Sequence, residues 1–199
     1  MGDHYFSKNP NSEHKPQRFD FTLRGKRFTF ETDAGVFSKS EVDFGSRLLI
    51  ETVEWPVVEG PILDVGCGYG PIGISIGAQQ PDRTIHMIDV NERALELARE
   101  NAKRNGVENV RIYESDRLES VSESGFAAVL TNPPIRAGKQ VVFDMIQNGF
   151  AKLAEGGELW VVIQKKQGAP SAIKEIERLA GTCEVAAKSK GYFILRGKK

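Results

Sequence analysis

The sequence predicts an α/β protein: a doubly wound, mostly parallel seven-stranded sheet with a C-terminal antiparallel hairpin and an N-terminal β-hairpin extension. Three observations carry this expectation. From Pro61 onward, short apolar runs alternate with stretches of helical period. Strands separated by helices pair in parallel through right-handed crossovers. The segment PILDVGCGYG at 61–70 then reads as a buried strand, a tight turn and a helix start. Glycine is suited to such a turn because it alone adopts positive φ without a Cβ clash. Finally, the last two strand-like runs are joined only by KSKG. That is too short for a parallel crossover, so they form an antiparallel hairpin at one edge.

Composition bounds the function. The chain has 199 residues, 40% hydrophobic and 27% charged, which suits one soluble domain with a small extension. No apolar run approaches the roughly 20 residues that span a bilayer. The polar start MGDHYFSKNPNSEHKPQ carries no signal-peptide core, and Phe6 does not fit a myristoylation signal. Two cysteines, Cys67 and Cys183, make no disulfide framework. The expectation is a cytoplasmic protein with no membrane partner and no metal. Net charge is zero but unevenly placed. Residues 1–30 hold six Lys/Arg against three Asp/Glu, and residues 160–199 hold nine against three. Basic ends suit a nucleic-acid partner, although solvated surface lysines give the same pattern.

In chain order, residues 1–16 read as a polar arm. In QRFDFTLRGKRFTFETD, Phe19, Phe21 and Leu23 alternate with polar residues, as do Phe28 and Phe30, around a turn at Arg24-Gly25-Lys26. This is a β-hairpin pattern that either covers part of the main sheet or offers an accessory surface. The division is 1–34 for the arm and hairpin and 35–199 for the main domain. The stretch Val36 to Gly45 is too polar for core and is placed to fold over a ligand. A short helix follows through Leu48, Leu49, Thr52 and Val53, with Ser46 as its N-cap.

Strands are expected at Ile62–Val65, Thr84–Asp89, Val110–Glu114, Ala127–Thr131, Glu158–Gln164, Glu184–Ala187 and Tyr192–Arg196. Helices are expected at Pro71–Gln79, Glu92–Asn105, Lys139–Leu153 and Ser171–Ala180. Asn105-Gly106 and Gly156-Gly157 read as helix ends. His86 and the two tryptophans, Trp55 and Trp160, read as packed rather than catalytic.

The glycine turn points to a nucleotide-type ligand, because free N–H groups at a helix start favour anionic groups. Gly68-x-Gly70-x-x-Gly73, with Asp89 sixteen residues further on, formally matches the dinucleotide fingerprint, so a nicotinamide cofactor stays open. Two features favour S-adenosylmethionine instead. Asp64 lies two residues before Gly66, where a carboxylate suits a ligand with a cationic end. The Ala127–Thr131 strand ends in Asn132-Pro133-Pro134.

From about Gly35 to the C-terminus the sequence resembles the class I S-adenosylmethionine-dependent methyltransferases. DVGCGYG resembles their first motif, Asp89 in HMIDVNERAL their second and Asp116 in YESDRL their third. NPPI resembles the Asn-Pro-Pro-aromatic motif of enzymes that methylate planar amino nitrogens. GVFSKSEVDFGSRLL, NPPIRAGK and LAEGGELWVVI together resemble the catalytic half of the guanine-N2 methyltransferases that act on small-subunit ribosomal RNA, of the methyltransferase C type. The sequence departs from that pattern where Ile135 and Arg136 replace Phe-His, and it lacks the duplicated N-terminal half of the better-known members.

The resemblance implies a Rossmann-like fold and S-adenosylmethionine as cofactor. It assigns the cofactor to Asp64, Gly66, Cys67, Gly68, Gly70, Asp89, Val90, Asp116, Arg117 and Asn132. Asp64 serves the methionine moiety, Asp89 the ribose hydroxyls and Asp116 the adenine amino group. Catalysis falls to Asn132, Pro133 and Pro134, and substrate binding to Phe37, Asp43, Ile135 and Arg136. The expected reaction is methylation of guanine N2 in ribosomal RNA, with a ribosomal subunit as partner and a homodimer in place of the duplicate half. Lys165 and Lys166, and Arg18, Arg24, Lys26 and Arg27 on the hairpin, are candidates for RNA phosphates. Three alternatives remain at this point: an N-methyltransferase acting on protein glutamine or on adenine, a non-catalytic S-adenosylmethionine- or RNA-binding module, and a nicotinamide oxidoreductase.

Overall fold

The computed structural model describes residues 15–34, 36, 41–134, 136 and 138–199. The main sheet contains β3 (Ile62–Val65), β4 (Ile85–Asp89), β5 (Val110–Glu114), β6 (Phe126–Thr131), β7 (Leu153–Gln164), β8 (Glu184–Ser189) and β9 (Tyr192–Lys198). Their order is β5-β4-β3-β6-β7-β9-β8. The first five are parallel to one another, and β9 runs antiparallel between β7 and β8. The Lys190-Gly191 turn of the edge hairpin has positive φ at both residues, the geometry of a two-residue hairpin turn.

Strand alternation sorts the core. Ile62, Met87, Leu130, Trp160 and Val162 face one side with α1 (Phe44–Thr52), α2 (Pro71–Gly77) and α3 (Glu92–Arg104). Leu63, Val65, Ile88, Val129, Val161 and Ile163 face the other side with α4 (Lys139–Ala151) and α5 (Ala169–Ala180). Both faces are therefore apolar, as a covered parallel sheet requires. Local signals place the helix ends. Asn91 accepts from Ala94 N at the start of α3, Glu92 lies in its first turn and Lys103 and Arg104 in its last, matching the helix dipole. Trp160 is fully buried and Trp55 half-buried. His86 is buried edge-on against Tyr113 and Phe126.

Four expectations change. The hairpin of β1 (Gln17–Leu23) and β2 (Lys26–Thr32) forms its own two-stranded sheet and covers helices instead of the main sheet. Asn105 brackets Thr29, its Oδ1 accepting from Thr29 N at 3.0 Å and its Nδ2 donating to Thr29 O at 2.9 Å. Asn101 does the same to Glu31 at 2.8 Å each way. The N-cap of α1 is Asp43, whose side chain accepts from Ser46 N at 3.0 Å; a carboxylate one residue before the helix takes the place foreseen for Ser46. Val36 and Val42 are buried in the core, so the glycine-punctuated stretch is anchored by its apolar residues. Gly156-Gly157 lies inside β7 rather than ending a helix. There Gly156 has φ +78, and a Cβ on Gly157 would lie 2.7 Å from Phe126 O, so the small residues let two strands approach.

Candidate functional site

The strand order reverses between β3 and β6, since β4 and β5 continue from β3 on one side and β7 lies beyond β6 on the other. Doubly wound sheets bind ligands in the crevice at the carboxyl ends of the strands at such a reversal. The glycine turn leaves β3 here and the Asn132-Pro133-Pro134 loop leaves β6.

The turn is held by two buried carboxylates. Asp89, at the end of β4, accepts from Gly68 N through Oδ2 at 2.9 Å and from Asn91 N through Oδ1 at 2.9 Å. It thus ties the turn to the start of α3. Burial raises its pKa, opposed by those N–H donors and by Val90 N–H. Asp64 accepts from Gly73 N through Oδ2 at 2.9 Å, while its buried Oδ1 has no hydrogen-bond partner among the described residues. Burial, with the nearby Asp89 charge adding to it, pushes its carboxyl up to about 7 against the lowering effect of the Gly73 N–H.

The glycines are sterically required along the turn, where Gly66 and Gly68 have φ +73 and +58. Gly70 has φ +101, and a Cβ on Gly73 would come within 2.6 Å of Met87. Beside Gly66 there is open space where a Cβ would stand. A backbone edge open to a ligand and an unpaired buried carboxylate oxygen are what a nucleoside-like group with a cationic end would use, so the donor set fits S-adenosylmethionine. Cys67 is buried and its thiol pKa is raised by burial and the two carboxylates, so it packs and does not react.

Asn132 is fixed from an unexpected direction. Its Nδ2 donates to Asp43 Oδ1 at 3.1 Å and to Ser46 Oγ at 3.0 Å. The same Asp43 oxygen accepts from Ser46 N, so the Asn132 atom facing it is the donating amide nitrogen, and Oδ1 is the acceptor left over. Thr131 supports the strand end by donating to Val65 O at 2.9 Å. Pro133 is buried and Pro134 half-buried. Asp43, read from the sequence as a substrate contact, is thus also a hydrogen-bond partner of Asn132.

Asp116 follows β5 with an exposed side chain that accepts from Arg117 Nε at 3.0 Å. Arg117 has φ +51 and donates to Asp144 Oδ2 on α4 at 2.6 Å. Val90 is half-buried beside Asp89, and Arg136 is exposed. Phe37 and Ile135 lie outside the described residues.

Two supports had no local signal. Ser46 bonds Asn132, and Asn101 Nδ2 donates to Tyr69 O inside the glycine turn at 2.9 Å. Asn101 belongs to an apolar helical face, where a buried amide is the only hint. Among the described residues there is no cluster of potential metal ligands, and no helix is long and apolar enough to cross a membrane.

The family model for the methyltransferase small domain matches residues 27–196. A Bacillus subtilis protein called uncharacterized protein YbxB is 58% identical over the whole of both chains. Ribosomal RNA small subunit methyltransferase C of Vibrio cholerae is 29% identical, over 94% of this chain and 56% of that one. Ribosomal RNA large subunit methyltransferase G of Klebsiella pneumoniae is 28% identical, over 96% and 51%. The chain thus spans about half the length of these two enzymes. The fold is similar to that of a T. thermophilus 16S rRNA N2 G1207 methyltransferase solved with AdoMet and guanosine (TM-score 0.81, 22% identity, 92% of this chain and 50% of that one). The chain belongs to the methyltransferase small domain family and is an S-adenosylmethionine-dependent methyltransferase.

Proposed function

We propose that this protein methylates an exocyclic amino nitrogen of a base in ribosomal RNA, with guanine N2 as the acceptor. The observation that carries this reading is the anchored Asn132, whose amide nitrogen is engaged by Asp43 and Ser46 so that its carbonyl oxygen remains for an N–H donor. The names of the Vibrio and Klebsiella relatives support ribosomal RNA as the acceptor polymer.

An exocyclic amino group is a poor nucleophile because its lone pair is conjugated with the ring. Asn132 Oδ1 and the Pro133 carbonyl accept its two N–H bonds, draw the nitrogen toward tetrahedral geometry and free the lone pair. Bound S-adenosylmethionine supplies an electrophilic methyl carbon on a positively charged sulfur that leaves as a neutral thioether. Asn132 and Pro133 would aim the nitrogen at that carbon, and the proton that the nitrogen gives up on taking the methyl group would pass to water. Positioning is the main contribution asked of the protein, and the proline pair stiffens the loop by fixing φ.

In this reading Asp64 and the turn Gly66, Cys67, Gly68 and Gly70 hold the methionine end. Asp89 and Val90 serve the ribose. Asp116 and Arg117 flank the adenine. Arg136 serves the acceptor base, to which the resemblance also assigns Phe37 and Ile135. The base must be unpaired or flipped to reach the site.

Methyl-labelled S-adenosylmethionine offered with separate ribosomal RNA, DNA and protein acceptors tests the reading. Label in ribosomal RNA is expected. Label confined to DNA or protein would overturn it.

A further inference from the structure

The positive charge near the two chain ends is used in two different ways. On the N-terminal hairpin, Arg18 pairs with Glu31 and Arg27 with Asp20. Arg24 donates to the carbonyls of Ile50 and Val53 and stacks on Trp55 at 4.2 Å. Arg196 in β9 is held by Glu54, Glu158 and Glu184. These cations are spent within the fold. Lys165, Lys166 and Lys190 are exposed and form no ion pair among the described residues.

Topology brings the three lysines to one place. Gln164, the last residue of β7, pairs with Tyr192, and Lys165 N donates to Gly191 O at 2.8 Å. The 3-10 turn Lys165–Gln167, which buries no residue, therefore abuts the tip of the β8–β9 hairpin at the carboxyl-end rim of the sheet. The half-buried rings of Tyr192 and Phe44 pack there with centroids 5.4 Å apart, and Lys190 Nζ lies 4.8 Å over the Phe44 ring. Phe44 directly follows Asp43, the residue that holds Asn132. A cation–aromatic ledge thus begins one residue from the anchor of the acceptor site, on the opposite side of it from the glycine turn.

We propose that this rim, formed by Phe44, Tyr192, Lys165, Lys166 and Lys190, is the docking surface for the unpaired RNA strand that flanks the target base. The inference rests on the ribosomal RNA reading above. Lysines take the phosphates, and the exposed parts of the rings take a neighbouring base by stacking, which accepts any base because every base has a π-face. The flexible Lys190 stem lets its ammonium leave the Phe44 ring for a phosphate. An unpaired RNA fits better than a folded acidic protein, since the ledge joins unneutralised cations to aromatic rings at the mouth of a base-modifying site.

The test compares two triple variants of the full chain with equal loss of charge: Lys165→Ala with Lys166→Ala and Lys190→Ala, and, elsewhere on the surface, Lys103→Ala with Lys174→Ala and Lys198→Ala. Affinity for protein-free ribosomal RNA is measured against salt, with S-adenosylmethionine affinity as the check on folding. The rim triple should weaken RNA binding more than about tenfold and reduce the slope of log K against log salt by about 2, at roughly 0.7 per lost phosphate contact. The control triple should change neither, and both should bind S-adenosylmethionine normally. Equal losses in the two triples, or none in the rim triple, overturn the rim. A loss seen only with intact ribosomal subunits assigns the surface to a protein and also overturns it. If the unaltered chain itself fails to retain ribosomal RNA, the acceptor assignment falls and the rim falls with it.

Discussion

Asn132 and Asp43 are 89 residues apart in sequence yet 3.1 Å apart in the fold, and the proposed chemistry depends on that contact. Asn132→Ala should lower kcat about 10²–10³-fold, the usual effect of removing one preorganised polar group from a transition state. S-adenosylmethionine affinity should stay within about twofold, since in the proposed reading Asn132 acts on the acceptor and not on the cofactor, to which the resemblance also assigned it; isothermal titration and single-turnover transfer measure the two. Asp43 carries a double load, because its Oδ1 also caps α1. Asp43→Ala should therefore cost about 1 kcal/mol of stability through the lost cap and lower kcat as Asn132 loosens. Asp43→Asn keeps an acceptor oxygen for both donors and should restore most of each; failure to do so would mean that charge, not geometry, matters there.

Asp64 gives a pH signature. Its folded pKa is raised to about 7 by burial, above the unfolded value near 3.9. Its contribution to stability is complete below about pH 4 and is lost as pH rises through 7. Asp64→Asn should remove that loss, so the variant's stability relative to the parent should grow across this window, by up to about 4 kcal/mol. Denaturant melts at pH 4.5, 6 and 8 read the difference. A constant difference would contradict the buried, protonated carboxyl.

At the scale of elements, the glycine turn behaves as a strand-turn-helix unit braced from three sides: by Asp64 under α2, by Asp89 from β4 and by Asn101 from α3. The two carboxylates and the glycines were legible in the sequence because their spacing is local. Asn101 and Asn105 were not. They reach backbone groups 70 and 76 residues away, and periodicity reports only that a residue lies on a helical face, not what that face meets. The same limit explains the hairpin: its alternating phenylalanines foretold two strands, but not that Phe19 and Phe30 would meet Tyr69 of the glycine turn at centroid distances of 6.2 and 5.8 Å. The hairpin thus buttresses the turn. Phe30 is fully buried, so Phe30→Ala should destabilise by about 3–5 kcal/mol. It should also weaken S-adenosylmethionine binding if the buttress matters to the turn. Thermal melts with and without the cofactor separate these effects.

Over the whole molecule, the fold was legible because parallel sheets announce themselves through continuous apolar strands between helices, and the edge hairpin through a connection too short to cross over. The ranges shifted mainly where glycine was read by habit. Gly156-Gly157 allows β7 to lengthen to Leu153, where a helix end was expected. The site divides along the sheet. The glycine turn, Asp64 and Asp89 lie on the β3–β4 side, the anchored Asn132 at the end of β6, and Lys165, Lys166 and Lys190 on the β7–β9 side. In the proposed reading, donor, acceptor base and flanking strand meet the protein in that spatial order.

The central claim is that this site methylates an amino nitrogen of ribosomal RNA. Mass mapping of ribosomal RNA nucleosides from cells with and without the protein tests it most directly. An N2-methylguanosine should disappear without the protein, return with the parent chain and not return with Asn132→Ala. An unchanged nucleoside profile in both ribosomal RNAs, with methyl label entering protein or DNA instead, would contradict it.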